Sequence, residues 1–312
     1  MADESMALPV PVTARPSRPL WQEIWRHRLD YLFISPFFIL FAIFGAYPLG
    51  WAFLLSFSSW RGFGPMKWVG LDNYRAMLQD IYIGKALANT LIFTAILVPT
   101  GILLALFFAV ALNIRDLRGR GPLRTIYFLP YITSTVIVAI VFQQFLDDTY
   151  GWLNGLLRLI GLPPAPWLRG EGWAKVSVIL LAHWQGLGYN ILIMLGGLQG
   201  IEPQLYEAAK IDGATSWQTF WRITLPLMRP VILFVSILGT IGVLNMFTQP
   251  YMLSPWTLGG PGNDILTLTL RLYDLGFRAT RYGDAAALGF LIGLLVIGIS
   301  FLQLRLLRSW RQ

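Results

Sequence analysis

This sequence contains no cysteine and few charged side chains. Only 13% of its residues are charged, while 55% are hydrophobic. The lack of cysteine excludes disulfide bonds and metal sites built from thiolates. The low charge and the positive mean hydropathy exclude an ordinary soluble domain. The composition therefore indicates a protein that resides in a lipid bilayer.

Charge is absent from six long stretches of the chain. Each stretch is long enough to cross a hydrocarbon core of roughly 30 Å as a helix, which needs about 20 residues. The stretches are residues 31–60, 86–114, 125–146, 176–201, 230–263 and 285–304. The sequence therefore predicts an all-α membrane protein in which residues 31–312 form one domain of six transmembrane helices.

Basic residues predict the orientation of this domain. Arginines are concentrated in the N-terminal arm, in the short loop 113–124 and in the C-terminal tail. Short basic segments remain in the cytoplasm, so we expect residues 1–30 to form a cytoplasmic tail and the C terminus to be cytoplasmic. With six spans, the loop 202–229 also faces the cytoplasm. The net charge of +8 is dispersed at span ends instead of forming a basic stripe, so no nucleic acid partner is expected.

Several chemical groups used by transporters and membrane enzymes are missing. No phosphate-binding loop of the G-x-x-x-x-G-K-[ST] type occurs, so nucleotide hydrolysis by this chain is not expected. The six predicted spans contain no carboxylate, which argues against proton coupling. A sodium-coupled carrier that uses backbone carbonyls stays open. Without a buried acid, base or nucleophile, membrane-enzyme chemistry has little support.

His183 is the only side chain of the predicted spans that can carry a charge. No second histidine lies in a span to complete a metal site. We therefore expect no metal ion, and we expect His183 to be a hydrogen-bonded packing residue rather than a ligand or a proton donor.

The predicted cytoplasmic loop 202–229 contains two helix signals separated by a glycine. Pro203 lies where a first helical turn tolerates proline, and Gly213 lies where a helix ends in a left-handed residue. Thr215 and Gln218 have the spacing of a capping box, which predicts a second helix. On these grounds alone, a hairpin on the membrane surface and a docking element for a partner are equally supported.

In the same loop, Glu207, Ala208 and Ala209 are followed by Gly213, and then by Ile223, Leu225 and Pro226. In residue type and spacing, these seven residues resemble the EAA signature of the permease subunits of binding-protein-dependent ABC importers. Other parts of the chain resemble the carbohydrate-uptake branch, and its maltose and glycerol-phosphate permeases in particular. These segments are 69–74, 128–146, 151–157, 198–214 and 258–263.

The resemblance implies a type I importer permease fold in the inner membrane of a prokaryote. The implied partners are a second homologous permease, two ATPase subunits, an extracytoplasmic solute-binding protein, a carbohydrate and membrane lipid. ATP and magnesium would bind the ATPases, so this chain would be no enzyme and would hold no cofactor. The residues implied to couple the permease to an ATPase are Glu207, Ala208, Ala209, Asp212, Gly213, Ala214, Ile223, Leu225 and Pro226. The alternative is an ion-coupled secondary transporter that works without ATPase subunits.

Polar and aromatic residues of the third to fifth predicted spans are candidates for solute contact. Asn245 and Gln249 are four residues apart, which predicts that they share one helix face, with Pro250 interrupting the helix beside them. Further candidates are Phe247, Tyr251, Gln185, Asn190 and Gln143. The alternative role of such amides is hydrogen bonding between helices, worth about 0.6–2 kcal/mol each.

Overall fold

The computed structural model describes residues 27–114, 119–254 and 257–308, together with Trp21 and Trp25. Most of the predicted cytoplasmic tail 1–30 and part of the loop 113–124 therefore lie outside the described residues. Within the described part of the chain, the structure consists of helices and one short pair of strands. The fold class is that of an all-α membrane protein, as the sequence predicts.

The helices are numbered α1 to α12 in chain order. Their bounds are Arg28–Ser56 (α1), Asp72–Gln79 (α2), Ile81–Leu112 (α3), Arg120–Ile132 (α4), Thr135–Phe145 (α5), Trp152–Leu159 (α6), Trp173–Gln199 (α7), Pro203–Ile211 (α8), Ser216–Leu244 (α9), Thr248–Leu253 (α10), Leu268–Tyr273 (α11) and Tyr282–Arg308 (α12). The strands are β1 (Ser58–Ser59) and β2 (Lys67–Trp68), which pair antiparallel with Ser58 opposite Trp68.

Within the described residues, the chain divides into two compact units between residues 52 and 53, and most of the first span, α1, belongs to the first unit. Its helix continues through Pro36 and contains one π turn at Ala42–Ala46. Proline and irregular turns are tolerated in membrane helices because the freed carbonyls find other partners.

The predicted third span is not one continuous helix. α4 and α5 meet at a bend of 96°, and Thr133 between them has an extended backbone with ψ of 142°. Pro130 lies in the last turn of α4 and lacks the N–H that would bond the carbonyl oxygen of Ile126. The described residues therefore contain five continuous helices that can span a membrane, or six spans if the bent pair counts as one.

Three spans form the centre of residues 53–312. α3 packs along both α7 and α9, α4 lies against α7, and α12 lies against α9. α4 comes unusually close to α7 at Gly188, where an added Cβ would lie 1.9 Å from the carbonyl oxygen of Tyr127. Only glycine fits at this crossing.

Buried apolar clusters occur at both ends of this bundle. The chain enters the loop 202–229 directly after α7, so the start of α7 marks the opposite end, which we call the outer end. The cluster near the loop includes Ala105, Met194, Leu198 and Met228. At the outer end, one cluster includes Phe93, Val178, Leu181, Leu253 and Ile265, and another includes Leu268, Ala287 and Leu288.

Candidate functional site

The loop 202–229 folds as a helix, a glycine turn and a second helix, which confirms the structural prediction for this segment. α8 begins at Pro203 and is followed by Gly213 with φ of +75°. The N–H of Ala214 donates to the carbonyl oxygen of Ala209 at 2.9 Å, which closes the end of the helix. Thr215 and Gln218 form the predicted capping box at the start of α9.

The two faces of α8 have different surroundings. Ala209 is buried, and the hydroxyl of Tyr206 lies 3.2 Å from that of Thr224, which joins α8 to the start of α9. Glu207 and Ala208 are exposed, and Ile211 keeps 87% of its surface accessible. α8 therefore turns one face to the bundle and leaves an acidic, small and apolar face uncovered.

The remaining residues of the EAA resemblance follow the same division. Asp212 and Gly213 are exposed, and Ala214 is half-buried beside them. Ile223, Leu225 and Pro226 are half-buried, where a π turn at Phe220–Thr224 leads into the long part of α9. These three residues connect the exposed helix to the bundle.

A cavity of about 560 Å³ lies between α3, α7 and α9 and is completed by α4, α5 and α10. Gln185, Asn190 and Gln249 line it, so the structure brings together three of the predicted solute-path residues. The amide of Gln249 donates to Oε1 of Gln185 at 3.4 Å, and the amide of Gln185 donates to the hydroxyl of Thr135 at 2.7 Å. No Asp, Glu, Lys or Arg is among the described lining residues.

The prediction that Asn245 and Gln249 share one helix face is wrong. α9 ends at Leu244, and the chain leaves helical geometry at Phe247 before α10 begins. Asn245 caps α9, is exposed, and donates its amide to the carbonyl oxygen of Ile241 at 2.8 Å. Pro250 lies in the first turn of α10, where its missing N–H costs no helical hydrogen bond. The proline thus accompanies a new helix instead of kinking an old one.

The other three predicted solute-path residues lie outside the cavity lining. The rings of Phe247 and Tyr251 stack with centroids 5.1 Å apart, and both contact the ring of Tyr273. The amide of Gln143 donates to the backbone oxygen of Met252 and so joins α5 to α10. In this structure these side chains hold helices together.

Two aromatic residues that the sequence reasoning missed do line the cavity. Tyr131 and Tyr189 stack with centroids 4.7 Å apart and an angle of 15° between the rings. Tyr189 follows Gln185 by four residues on α7, so helical spacing alone was a usable signal for it. Helical spacing could not identify Tyr131, because it lies in α4 and the third span bends between α4 and α5.

His183 also lines the cavity, and both of its ring nitrogens are hydrogen-bonded. Nε2 lies 2.8 Å from the hydroxyl of Thr100, and Nδ1 donates to the carbonyl oxygen of Ile179 at 2.9 Å. This is the packing arrangement that the sequence predicts.

A buried apolar layer borders the cavity on the side of the outer end. Phe93, Val178 and Leu181 have no accessible surface, while Leu253 and Ile265 keep only 1%. Leu97 and Met246 belong both to this cluster and to the cavity wall. We call these seven residues the outer layer.

Ile265 reaches the outer layer from residues 257–267, which we call the outer loop. The carboxylate of Asp264 accepts hydrogen bonds from the ammonium of Lys175, at 3.0 Å, and from the backbone N–H of Gly172. Burial raises the pKa of Asp264, but the N–H of Gly172 and the charge of Lys175 outweigh it, so the pKa lies below its ordinary value. The outer loop is therefore bound through a charged carboxylate to the start of α7.

Comparison with known proteins decides the family of this chain. Residues 98–312 match the family described as binding-protein-dependent transport system inner membrane component. The chain is 40% identical to the lactose transport system permease protein LacF of Rhizobium radiobacter, over 88% of this chain and 92% of the relative. This chain belongs to that family. It is an inner-membrane permease of an ABC importer, its ATPase is a separate subunit, and permease subunits of this family bind no cofactor.

Other relatives extend the similarity over nearly the whole permease. The arabinooligosaccharides transport system permease protein AraP of Bacillus subtilis is 34% identical, over 97% of this chain and 96% of the relative. A crystal structure of a bacterial ABC transporter that imports the acidic polysaccharide alginate contains a similar chain, with a TM-score of 0.81 and 28% identity. That match covers 93% of this permease and 98% of the other chain.

Proposed function

We propose that this permease carries a neutral sugar or oligosaccharide through the cavity between α3, α7 and α9. It works with a second homologous permease, two ATPase subunits and an extracytoplasmic solute-binding protein. The observation that supports this function best is the cavity lining, which offers amides and stacked tyrosine rings and, among its described residues, no Asp, Glu, Lys or Arg.

The chemistry of this lining suits a sugar. Gln185, Asn190 and Gln249 present amide donors and acceptors to hydroxyl groups, and the rings of Tyr131 and Tyr189 present apolar faces to a sugar ring. An acidic saccharide would enter this cavity without a basic partner for its carboxylate, which is costly in an apolar surrounding. The relatives support the substrate class, since they are described as permeases for lactose, arabinooligosaccharides and trehalose/maltose.

The exposed face of α8 supports the docking of an ATPase. Glu207 and Ala208 lie on this uncovered face, and the small alanine allows close approach of a partner. We assign Glu207 an ion pair with a basic residue of the ATPase. ATP binding in the partner then moves α8, and Tyr206 and Thr224 pass this movement to α9, which forms one wall of the cavity.

The mechanism needs no reaction of the solute with the permease. ATP binding and hydrolysis favour one of two conformations of the bundle, and the cavity faces a different side of the membrane in each. A solute-binding protein delivers the sugar to the outer end. The crystallised alginate transporter was obtained in complex with its solute-loaded periplasmic protein, which supports this arrangement.

Reversal of one charge tests the docking role. Glu207→Lys is expected to lower ATP-driven sugar uptake at least tenfold, because an ion pair becomes a repulsion of several kcal/mol. Glu202→Lys is the matched control, since Glu202 is an equally exposed carboxylate five residues earlier in the same loop. Uptake of a neutral disaccharide is measured in cells that express the whole importer. Equal uptake in both variants would refute the docking role of Glu207.

The alternative of an ion-coupled carrier is tested with the purified permease alone. We expect no sugar accumulation in liposomes that contain this chain, with or without a sodium gradient. Accumulation driven by the gradient would replace the ABC mechanism by secondary transport.

A further inference from the structure

The outer seal of the cavity is partly built from a segment that is not a membrane span. Most of the outer layer comes from α3, α7 and α10, but Ile265 belongs to the outer loop and keeps only 1% of its surface accessible. A seal that depends on a loop residue opens if the loop lifts. The bonds that hold the outer loop therefore decide whether the cavity is closed to the outside.

The outer loop is held by bonds to α3, to the backbone oxygen of Met246 through the hydroxyl of Thr267, and to the start of α7. On the side of α3, the amide of Asn89 donates to the backbone oxygens of Asn263 and Leu266 at 2.8 and 3.1 Å. The N–H of Leu268, directly after the loop, donates to the hydroxyl of Thr90 at 3.0 Å. The ammonium of Lys85 also donates to the backbone oxygen of Gly262 at 3.3 Å. These bonds fix the loop to the start of α3.

On the side of α7, the loop is held through Asp264 alone among the described hydrogen bonds and ion pairs. Its carboxylate accepts the N–H of Gly172 and the ammonium of Lys175, with about a fifth of each charged side chain exposed. α3 and α7 are two walls of the cavity. If these walls separate at the outer end, the loop stays on α3 and must release α7 at Asp264.

We propose that Asp264 is a gating residue, whose bond to Lys175 keeps the outer end of the cavity closed between transport cycles. Asp264 acts by positioning Ile265 in the outer layer and does not touch the solute. Loss of the bond lets the outer loop lift from α7, so that the cavity becomes accessible from outside without ATP. This inference rests on the proposed solute path through the cavity.

The absence of cysteine permits a direct test of accessibility. Ala182 lines the cavity and packs against the outer layer, so Ala182→Cys places one thiol just below the seal. The whole importer is placed in right-side-out vesicles without ATP, and a membrane-impermeant maleimide is added outside. We expect slow labelling with Asp264 intact and about tenfold faster labelling with Asp264→Asn or Lys175→Met, since couplings of this kind are about 5–150-fold.

Two further variants distinguish loss of the bond between Asp264 and Lys175 from general damage to the outer end. Asp264→Glu keeps a carboxylate that can accept from both Gly172 and Lys175, and it is expected to keep labelling slow. Asp284→Asn is the matched control, because the carboxylate of Asp284 is about as buried as that of Asp264, and its ion pair with Arg281 does not hold the outer loop. It is expected to leave labelling slow.

The outcomes distinguish the gate from the solute path. Slow labelling in Asp264→Asn, or labelling in Asp284→Asn that is as fast as in Asp264→Asn, would overturn the gating role. Inverted vesicles and vesicles with ATP and the solute-loaded binding protein report on the path itself. If the thiol introduced by Ala182→Cys reacts from neither side under any of these conditions, the proposed solute path is wrong. The gating role of Asp264 is then wrong too, because it rests on that path.

Discussion

The two ends of the bundle treat their polar groups in opposite ways. At the outer end, buried polar side chains form hydrogen bonds with other groups of the chain. Asn154 has no accessible surface, and its amide joins Asp148, Ala165 and Trp167 through four hydrogen bonds. At the end that carries the loop 202–229, Glu207 and Asp212 are exposed and make no ion pair among the described residues.

This difference indicates which end of the permease binds the ATPase. Buried polar groups that are fully bonded stabilise one arrangement of a chain and leave nothing for another molecule. Exposed acidic and small residues on a short helix contribute little to folding, so their presence is better explained by binding. Substitutions at the outer end should therefore lower stability, while those on the exposed face of α8 should lower transport and leave stability unchanged.

The largest expected effect on stability is that of Asn154→Ala. The change leaves backbone groups of Asp148 and Ala165 and the indole N–H of Trp167 without their partner in a buried place. We expect the free energy of unfolding to fall by about 3 kcal/mol or more, since each unsatisfied buried group costs about 1–3 kcal/mol. Thermal unfolding in detergent measures the effect.

Asn113→Ala is the control for this prediction. Asn113 caps α3 at the opposite end of the bundle and is only half-buried, and its side chain forms no hydrogen bond within the described ranges. Its loss is expected to change the unfolding temperature little. Equal destabilisation by Asn154→Ala and Asn113→Ala would contradict the proposed difference between the two ends of the bundle.

A smaller effect is expected from Thr215→Ala in the capping box of α9. Thr215 accepts the N–H of Gln218, and the side chain of Gln218 accepts the N–H of Thr215. Removal of such a cap costs about 1 kcal/mol. Thr215→Ser keeps the hydroxyl and should behave like the unchanged chain in the same unfolding measurement. If alanine and serine are indistinguishable, the cap does not stabilise this helix.

The smallest effect is a dependence on pH at the outer end. The pKa of Asp264 is lowered in the folded chain, so its carboxylate stabilises the fold above the unfolded pKa of about 3.9, and this contribution is lost as pH falls through the folded pKa. Acid should therefore destabilise the unchanged chain more than Asp264→Asn. The check is the drop in unfolding temperature between neutral and acidic pH. An identical drop in both proteins would contradict the assignment.

The sequence predicted the parts of the fold that depend on polarity and local capping. Uncharged stretches marked the spans, and Pro203, Gly213 and Thr215 marked both helices of the loop 202–229. The helix breaks inside apolar stretches were not predicted. Charge and hydropathy indicate which residues lie in the membrane, but they do not indicate where the chain changes direction there. The uncharged stretch 230–263 contains the second half of α9, all of α10 and part of the outer loop.

The candidate cavity was predicted in part for the same reason. Gln185 and Asn190 were both predicted on one span, and α7 is continuous, so both lie in the cavity lining. Asn245 was misplaced because α9 ends there, and Tyr131 was missed because the third span bends. Contacts between helices that change direction depend on tertiary packing, which no local pattern contains.

The central claim, that a separate ATPase docks on the exposed face of α8, is tested most directly by crosslinking from a single cysteine. Ala208→Cys places the only thiol of the chain on that face, and Ala209→Cys places it on the buried face as a control. We predict that a short crosslinker with a maleimide at one end and an amine-reactive ester at the other joins the Ala208→Cys permease of the assembled importer to a lysine of an ATPase subunit, and that the Ala209→Cys permease gives little product. Crosslinking of the Ala208→Cys permease to lipid alone, or equal products from both variants, would contradict it.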